Sequence, residues 1–279
     1  MATWETFESR LLITARVEAV TALRIGAGGE EGAQPSSSDL PILVGQGDRP
    51  YVPGSSLRGV VRSQVERIIR TLEAEPSRGR GSCNPVVEAE WCVRAQEMDE
   101  WRNQARQLAR DGENADAWIS GQIWNGSCRI CRTFGNTWLA SRVRIADLPL
   151  VEGISSTIER RDGVSIHREK ETVQNKYDFE TVPAGTAFAL HVMAENLSPA
   201  ERGLLWLGLR ELGEGNVLLG GFKGRGLGQV RLADLRIQGI EPGDRMGLRR
   251  YILHGTFTDI DAAEADRWLQ ALWDDLEVN

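Results

Sequence analysis

The chain has 279 residues, of which 41% are hydrophobic and 26% charged, and a formal net charge of −7. These are the proportions of an ordinary globular protein, enough for one large domain or two small ones, and no apolar run reaches the length of a membrane span. The start, MATWETFESR, is polar and acidic with no basic or apolar leader region, so no signal peptide is expected and the expected compartment is the cytoplasm.

From Leu11 to Leu23 the residues Ile13, Ala15, Val17, Ala19, Thr21 and Leu23 share one face, which predicts a strand with one buried side. Gly26-Ala27-Gly28-Gly29 ends it, and a loop rich in Gly, Ser, Pro and Gln runs on to about Arg49. A long polar loop between two firm elements is more often functional than not. Pro53-Gly54-Ser55-Ser56 then opens a helix, with Ser55 or Ser56 as natural N-cap. Leu57, Val60, Val61, Val65, Ile68, Ile69 and Leu72 recur at spacings of three and four, an amphipathic stripe. Residues 73–121 are polar and cysteine-bearing, and read as an irregular insertion that extends to about residue 140. Strand character returns over 142–150. Residues 153–182 carry charges of both signs and suit a projecting hairpin.

Thr186–Met193 alternates again, and Pro199–Leu212 carries a second helical stripe. Val217–Leu219 and Gln229–Ile237 are predicted strands flanking a glycine-rich loop. Residues 260–277 predict an acidic amphipathic helix with Trp268, Leu269, Leu272 and Trp273 on one side, suited to docking on the body or on a neighbouring subunit. The order predicts an α+β fold with an RRM-like (ferredoxin-like βαββαβ) core, one domain over 1–279 with insertions at 73–140 and 153–182 and an acidic C-terminal helix within 255–279. That acidic tail holds seven acids and one base, leaving 33 acids and 32 bases elsewhere. The body is therefore nearly neutral and has room for basic patches. Phosphate binding needs local positive charge and close backbone approach, not a basic whole.

Three constellations carry chemistry. Cys128-Arg-Ile-Cys131 is a C-x2-C knuckle, and Cys83 and Cys92 form a looser pair; together they match a closed, structural Zn2+ site. Buried free cysteines or a redox pair are the other readings of the four. Gly220-Gly221-Phe222-Lys223-Gly224-Arg225-Gly226-Leu227-Gly228 offers backbone N–H groups and two bases to a phosphate, or is simply a flexible turn. It lacks the Lys-Ser/Thr ending of a nucleotide-binding P-loop. The helix start Gly54-Ser55-Ser56 offers free N–H donors, with Arg58 and Arg62 four apart on one face; plain capping with surface arginines is the other reading.

Together these stretches carry a resemblance. Tyr51-Val-Pro-Gly-Ser-Ser-Leu-Arg-Gly-Val-Val-Arg62 resembles the "IPGSSLKG..R" signature of the RAMP superfamily, the repeat-associated RNA-binding proteins of CRISPR systems. Gly221 to Val230 resembles that superfamily's C-terminal glycine-rich loop, and Cys128 to Asn136 its zinc knuckle followed by "FG". Asp162 to Arg168, with Phe179 to Phe188, is similar to its thumb hairpin and the strand after it. The match spans about residues 12–235 in the right order, and is nearest to the repeated backbone subunits of type III complexes.

The resemblance implies a subunit stacked with paralogues or copies of itself along a guide RNA, beside other effector subunits and with no membrane partner. The thumb, with Val164, Ile166, His167 and Arg168, would wedge between guide and target; the family's "IDR" here reads Ile166-His167-Arg168. Gly54, Ser55, Ser56, Arg58, Arg62, Asn136, Gly221, Phe222, Lys223, Gly224 and Arg225 would contact RNA. The resemblance also implies cleavage of target RNA by an aspartate of the loop after the first strand. Asp39 in Ser38-Asp39-Leu40-Pro41 matches that position, with Asp48 the second candidate. Such a carboxylate would work with Mg2+ or Mn2+ or help activate the ribose 2′-OH, leaving a 2′,3′-cyclic phosphate. Two alternatives stand beside this: a catalytically inactive structural subunit, and a guide-processing endoribonuclease using a histidine. The latter is weaker, because the only histidines are His167, His191 and His254, with His191 in an apolar strand and His254 in a strand-like stretch.

Overall fold

A computed structural model describes residues 6–27, 38–154, 157–167, 169 and 172–278. The first strand, β1 (Arg10–Ala19), buries Leu11, Ile13, Ala15, Val17 and Ala19 in strict alternation. Next come β2 (Tyr51–Val52) and α1 (Gly54–Leu72), whose Leu57, Val61, Val65 and Ile69 are fully buried. Burial of such a side chain contributes about 1.5–3 kcal/mol, so this stripe anchors α1. Three helices follow: α2 (Ala95–Arg110), α3 (Ala115–Gly126) and α4 (Arg129–Phe134). Then come β3 (Val143–Ile145), β4 (Leu148–Pro149), β5 (Glu159–Ile166), β6 (Val173–Thr181), β7 (Ala187–Glu195), α5 (Pro199–Gly213), β8 (Val230–Ile240), α6 (Arg245–His254), β9 (Thr258–Asp259) and α7 (Ala262–Val278).

The main sheet is antiparallel, in the order β3-β7-β1-β8-β9. Register places Ile13 between Val192 of β7 and Ile237 of β8, which concentrates β-branched residues on the buried face. A bulge between Thr14 and Arg16 interrupts the β1–β8 ladder. One buried cluster joins that face to α1 and to Leu204, Leu205, Leu209 and Leu212 of α5. The two helices approach closely where a Cβ on Gly208 would stand 2.6 Å from Val61. On its other side α5 receives α7, which buries Trp268 and Leu272, half-buries Leu269 and leaves Trp273 exposed. Thus α7 docks on the body, as its stripe suggested. No helix among the described residues is long and apolar enough to cross a membrane.

β5 and β6 form a separate two-stranded hairpin, as the charge pattern of 153–182 led us to expect. Elsewhere the structure differs from the sequence reading. Residues 73–121 are not irregular: they hold α2 and most of α3. α2 buries Met98 and half-buries Trp101, Ala105 and Leu108 at spacings of three and four, a helical stripe within a mostly polar segment, whereas α3 buries no residue and has no such stripe. Val217–Leu219 is not a strand; Leu219 instead donates its N–H to the Gly228 carbonyl, 2.8 Å, closing the neck of the glycine-rich loop. His254 ends helix α6 rather than lying in a strand, and His191 faces outward from β7.

Candidate functional site

The start of α1 is set by Pro53, which stands at the N-cap and makes no side-chain cap bond. Neither serine caps the helix. The Gly54 N–H instead donates to Asp147 Oδ1, 2.8 Å away on the β3–β4 turn. The helix therefore begins before Ser55 and Ser56, and both fall in its first turn. Only glycine fits at 54, because a Cβ there would lie 2.1 Å from the Ile145 carbonyl oxygen.

The glycine-rich loop is tied to the segment that follows β1. Gly221 N–H donates to the Arg24 carbonyl at 2.8 Å and Gly228 N–H to the Ala22 carbonyl at 3.0 Å. Gly220 has φ +83°, and a Cβ there would stand 2.3 Å from Arg24 O. Pinned in this way, the loop faces the first turn of α1. Ser55, Ser56, Arg67, Gly220, Gly221 and Lys223 line one groove of about 500 Å³. The amides of Phe222, Lys223 and Gly224 meet no acceptor among the described residues. The groove so combines the Lys223 N–H, the three hydroxyls of Ser55, Ser56 and Ser63 and two cations, a set suited to a phosphate-bearing ligand.

The other predicted cations turn elsewhere. The Arg58 guanidinium donates to the Phe134 carbonyl, and burial, with the neighbouring Arg62 charge, pushes its pKa down. Arg62 donates to the Gly135 carbonyl (2.9 Å) and to Glu66 (2.8 Å), and reaches Cys131 Sγ at 3.7 Å. Both brace the turn after the knuckle rather than the groove. Arg225 lies over the rings of Phe222, Tyr177 and Phe179, 4.7, 5.4 and 5.9 Å from their centroids. Phe222 stands edge-on to Phe179 at 4.8 Å, so these two loop residues join the root of the hairpin. Asn136 is also internal: its Oδ1 accepts from the Trp138 and Leu139 amides, both 2.8 Å, and its Nδ2 donates to Ser127 Oγ at 3.2 Å.

Between groove and hairpin runs the segment 38–44. Leu43 N–H donates to the Ile25 carbonyl (2.8 Å), and Glu180 N–H donates to the Leu40 carbonyl (3.1 Å). Asp39 is exposed at the hairpin end of this segment. Its Oδ2 accepts from Asp178 N–H at 2.9 Å, and its own N–H donates to Asp178 Oδ1 at 2.8 Å. Ser38 Oγ donates to the same oxygen at 2.6 Å, and Arg160 pairs with Asp178. The Ser38 bond, then Arg160, holds the Asp178 carboxyl down to about 2. Asp48 lies apart, exposed in a tight turn at φ 54°. Along the hairpin Val164 and Val173 are exposed, and His167 N–H donates to the Thr172 carbonyl (2.9 Å) at the tip. Ile166 pairs with Val173 through its backbone, while Arg168 lies outside the described residues.

The four cysteines meet. The sulfurs of Cys83, Cys92, Cys128 and Cys131 all lie within 4.8 Å of one another, and those of Cys83 and Cys131 are 3.6 Å apart. Four thiolates about 2.3 Å from a tetrahedral metal would be roughly 3.8 Å apart, so the quartet can hold a metal ion. Hydrogen bonds from the Cys128 and Cys131 thiols pull the Cys83 pKa down, while Cys131 is pushed up by Cys128 and Cys83. Such competition is what a cation among the sulfurs would relieve. Sequence reasoning missed Asp178 and Ser38 at Asp39, and Glu73, which receives Arg129 at 2.7 Å and the Gly81 N–H at 2.6 Å beneath the cysteine segment. The hairpin register alone would have brought Asp178 opposite Asp162, but nothing local ties either to Asp39.

Comparison with curated proteins finds no match. A family model does match: that of the RAMP superfamily, over residues 16–231. The matched span runs from β1 through the glycine-rich loop to β8, and contains the groove, Asp39, the hairpin and the cysteine quartet. Members of that superfamily generally bind RNA and act in CRISPR complexes, and with the match covering well over half of its length this chain belongs to the RAMP superfamily.

Proposed function

We propose that the chain is a guide-RNA-binding backbone subunit of a type III CRISPR interference complex. Its core is RRM-like: β3-β7-β1-β8 follow the ferredoxin order, with α1 after β1 and α5 after β7. The observation that carries the reading is the groove in which Ser55 and Ser56 face Gly220, Gly221 and Lys223. Two stretches far apart in sequence meet there as a cradle for phosphate. Guide RNA lies in it, with the amides of Phe222 to Gly224 on its phosphates and Lys223 and Arg67 neutralising charge. Arg58, Arg62, Asn136 and Arg225 act on the RNA through the turn and hairpin root that they brace. Copies or paralogues stack along the guide, and the cysteine quartet holds Zn2+ as a structural centre.

The hairpin enters between guide and target with Val164, Ile166, His167 and Arg168, its exposed valines against unstacked bases. Asp39 lies at its root, joined to it by hydrogen bonds. Its Oδ2 is engaged by the Asp178 N–H, and the Arg160 charge acts on its carboxylate. An exposed carboxylate with substrate phosphates suits Mg2+ or Mn2+, which, when bound, would supply charge stabilisation at the scissile phosphate. Asp39 orients the target and promotes attack of the 2′-OH on the adjacent phosphorus. The bond to the 5′ oxygen of the next nucleotide breaks, leaving a 2′,3′-cyclic phosphate and a 5′-hydroxyl.

The test has two parts. RNA that co-purifies with the chain should be guide RNA with uniform repeat-derived ends, and target cleavage opposite this subunit should stop with Asp39→Ala. Guide with undiminished cleavage would make the chain a structural subunit only. Cutting of precursor repeat RNA by the isolated chain would make it a guide-processing endoribonuclease. Against that last role, the three histidines lie at the hairpin tip, on β7 and at the end of α6.

A further inference from the structure

We infer that Asp178 is the positioning residue for Asp39, and that it makes the hairpin and the cutting carboxylate one unit. This rests on the reading of Asp39 as the cleaving group. The geometry is a reciprocal clamp between residues 139 apart in sequence: Asp178 Oδ1 accepts from Asp39 N–H at 2.8 Å, and Asp178 N–H donates to Asp39 Oδ2 at 2.9 Å. Ser38 Oγ adds a third bond at 2.6 Å to the same Asp178 oxygen. Arg160, from the opposite strand of the hairpin, pairs with Asp178. A carboxylate at this spot would ordinarily repel Asp39. Here its charge is taken up by Arg160 and Ser38, so it stays ionised and serves as an acceptor beside a second acid.

The clamp does two things. It fixes the Asp39 side chain by one oxygen, Oδ2. It also registers the Asp39 loop to β6, because the Leu40 carbonyl accepts the Glu180 N–H and Ile42 N–H donates to Glu180 Oε2 at 3.0 Å. Residues 38, 39, 40 and 42 thus bond in sequence to residues 178 and 180 of the strand that carries the wedge.

The experiment uses the assembled complex and a target of matched sequence, read by single-turnover rate, cut position and target affinity. Asp178→Ala removes all three interactions that its carboxylate accepts, from Asp39 N–H, Ser38 Oγ and Arg160, and keeps only the backbone bond to Asp39 Oδ2; the loop that carries Asp39 loosens, and a misplaced group loses on the order of tenfold to a hundredfold in rate. Target affinity should be unchanged, and cuts should spread to neighbouring phosphates. Asp178→Asn keeps Oδ1 as acceptor and loses mainly an ion pair to exposed Arg160, so it should stay within about fivefold of wild type. Amide exchange over 38–44 should quicken in Asp178→Ala while β1 is unchanged, which also reports that the variant is folded. If Asp39→Ala abolishes cutting but Asp178→Ala cuts at the wild-type rate and position, the inference fails and the catalytic reading stands. If Asp39→Ala cuts normally, the catalytic reading falls and takes the inference with it. If both Asp178 variants lose activity equally with slow exchange over 38–44, charge rather than positioning matters, and the inference is overturned.

Discussion

Removing the charges of Lys223 and Arg67 should weaken RNA binding in a way that removing Arg58 does not. Both residues line the groove beside Ser55 and Ser56, and both are exposed. Each phosphate contact to a single strand adds about 0.7 to the slope of log affinity against log salt. The double substitution Lys223→Ala with Arg67→Ala should therefore flatten that slope by about 1.4. Over the fourfold rise from roughly 50 to 200 mM salt, each lost contact removes about 2.6-fold of salt sensitivity. Arg58 provides the contrast. Its guanidinium donates to the Phe134 carbonyl at the buried end of α4, so Arg58→Ala leaves that acceptor unmet at about 1–3 kcal/mol. It should lower the melting temperature and leave the slope alone. The assay is fluorescence anisotropy of a labelled single-stranded RNA titrated with the chain at several salt concentrations, beside thermal melts of each variant. An unchanged slope in the double variant, or an equal drop in Arg58→Ala, would refute the assignment of the groove.

The cysteine quartet should bind one zinc per chain; Cys131→Ser should abolish it, read by metal analysis of the purified protein, and chelation should lower the melting temperature of the wild type but not of the variant. The Arg129–Glu73 pair is buried and links α1, α4 and, through Asp275, α7. Arg129→Ala should thus destabilise in denaturant unfolding by less than the about 3–5 kcal/mol of a buried charge left wholly unpaired, because Glu73 keeps the Gly81 N–H and Arg80 at 3.7 Å. Burial works to raise the Glu73 pKa, but the Arg129 bond and the Gly81 amide outweigh it and the net shift is downward. A carboxylate depressed on folding stabilises above its unfolded pKa, and that stabilisation is lost as pH falls through the folded value. Glu73→Gln should accordingly flatten the acid limb of a stability profile measured below the ordinary glutamate pKa. Gly220→Ala must place a side chain at φ +83° and 2.3 Å from Arg24 O, so it should destabilise by at least about 1 kcal/mol and weaken RNA binding, measured by melting and anisotropy.

Much of this molecule follows from residues near one another in the chain. The period of two from Leu11 to Ala19 and the spacing of three and four from Leu57 to Ile69 identify β1 and α1, because each buries one continuous face. The four cysteines stand out by type alone, and the crowding of glycine after Leu219 marks the loop that approaches the first turn of α1. The same logic fails for α3, which buries no residue and leaves no periodic trace, although α2 does repeat Met98, Trp101, Ala105 and Leu108 at spacings of three and four. It also misassigns cations. That Arg58 and Arg62 share a helix face is local information; that this face meets Phe134 and Gly135, while Arg67 meets the groove, is not. The Asp39–Asp178 clamp, the closing of Cys83 and Cys92 on Cys128 and Cys131, and the seating of Arg225 on the hairpin root all join residues from distant parts of the chain. A strand or helix shows its period in consecutive residues, whereas the partner of each side chain is decided only when the sheet order brings separate stretches together.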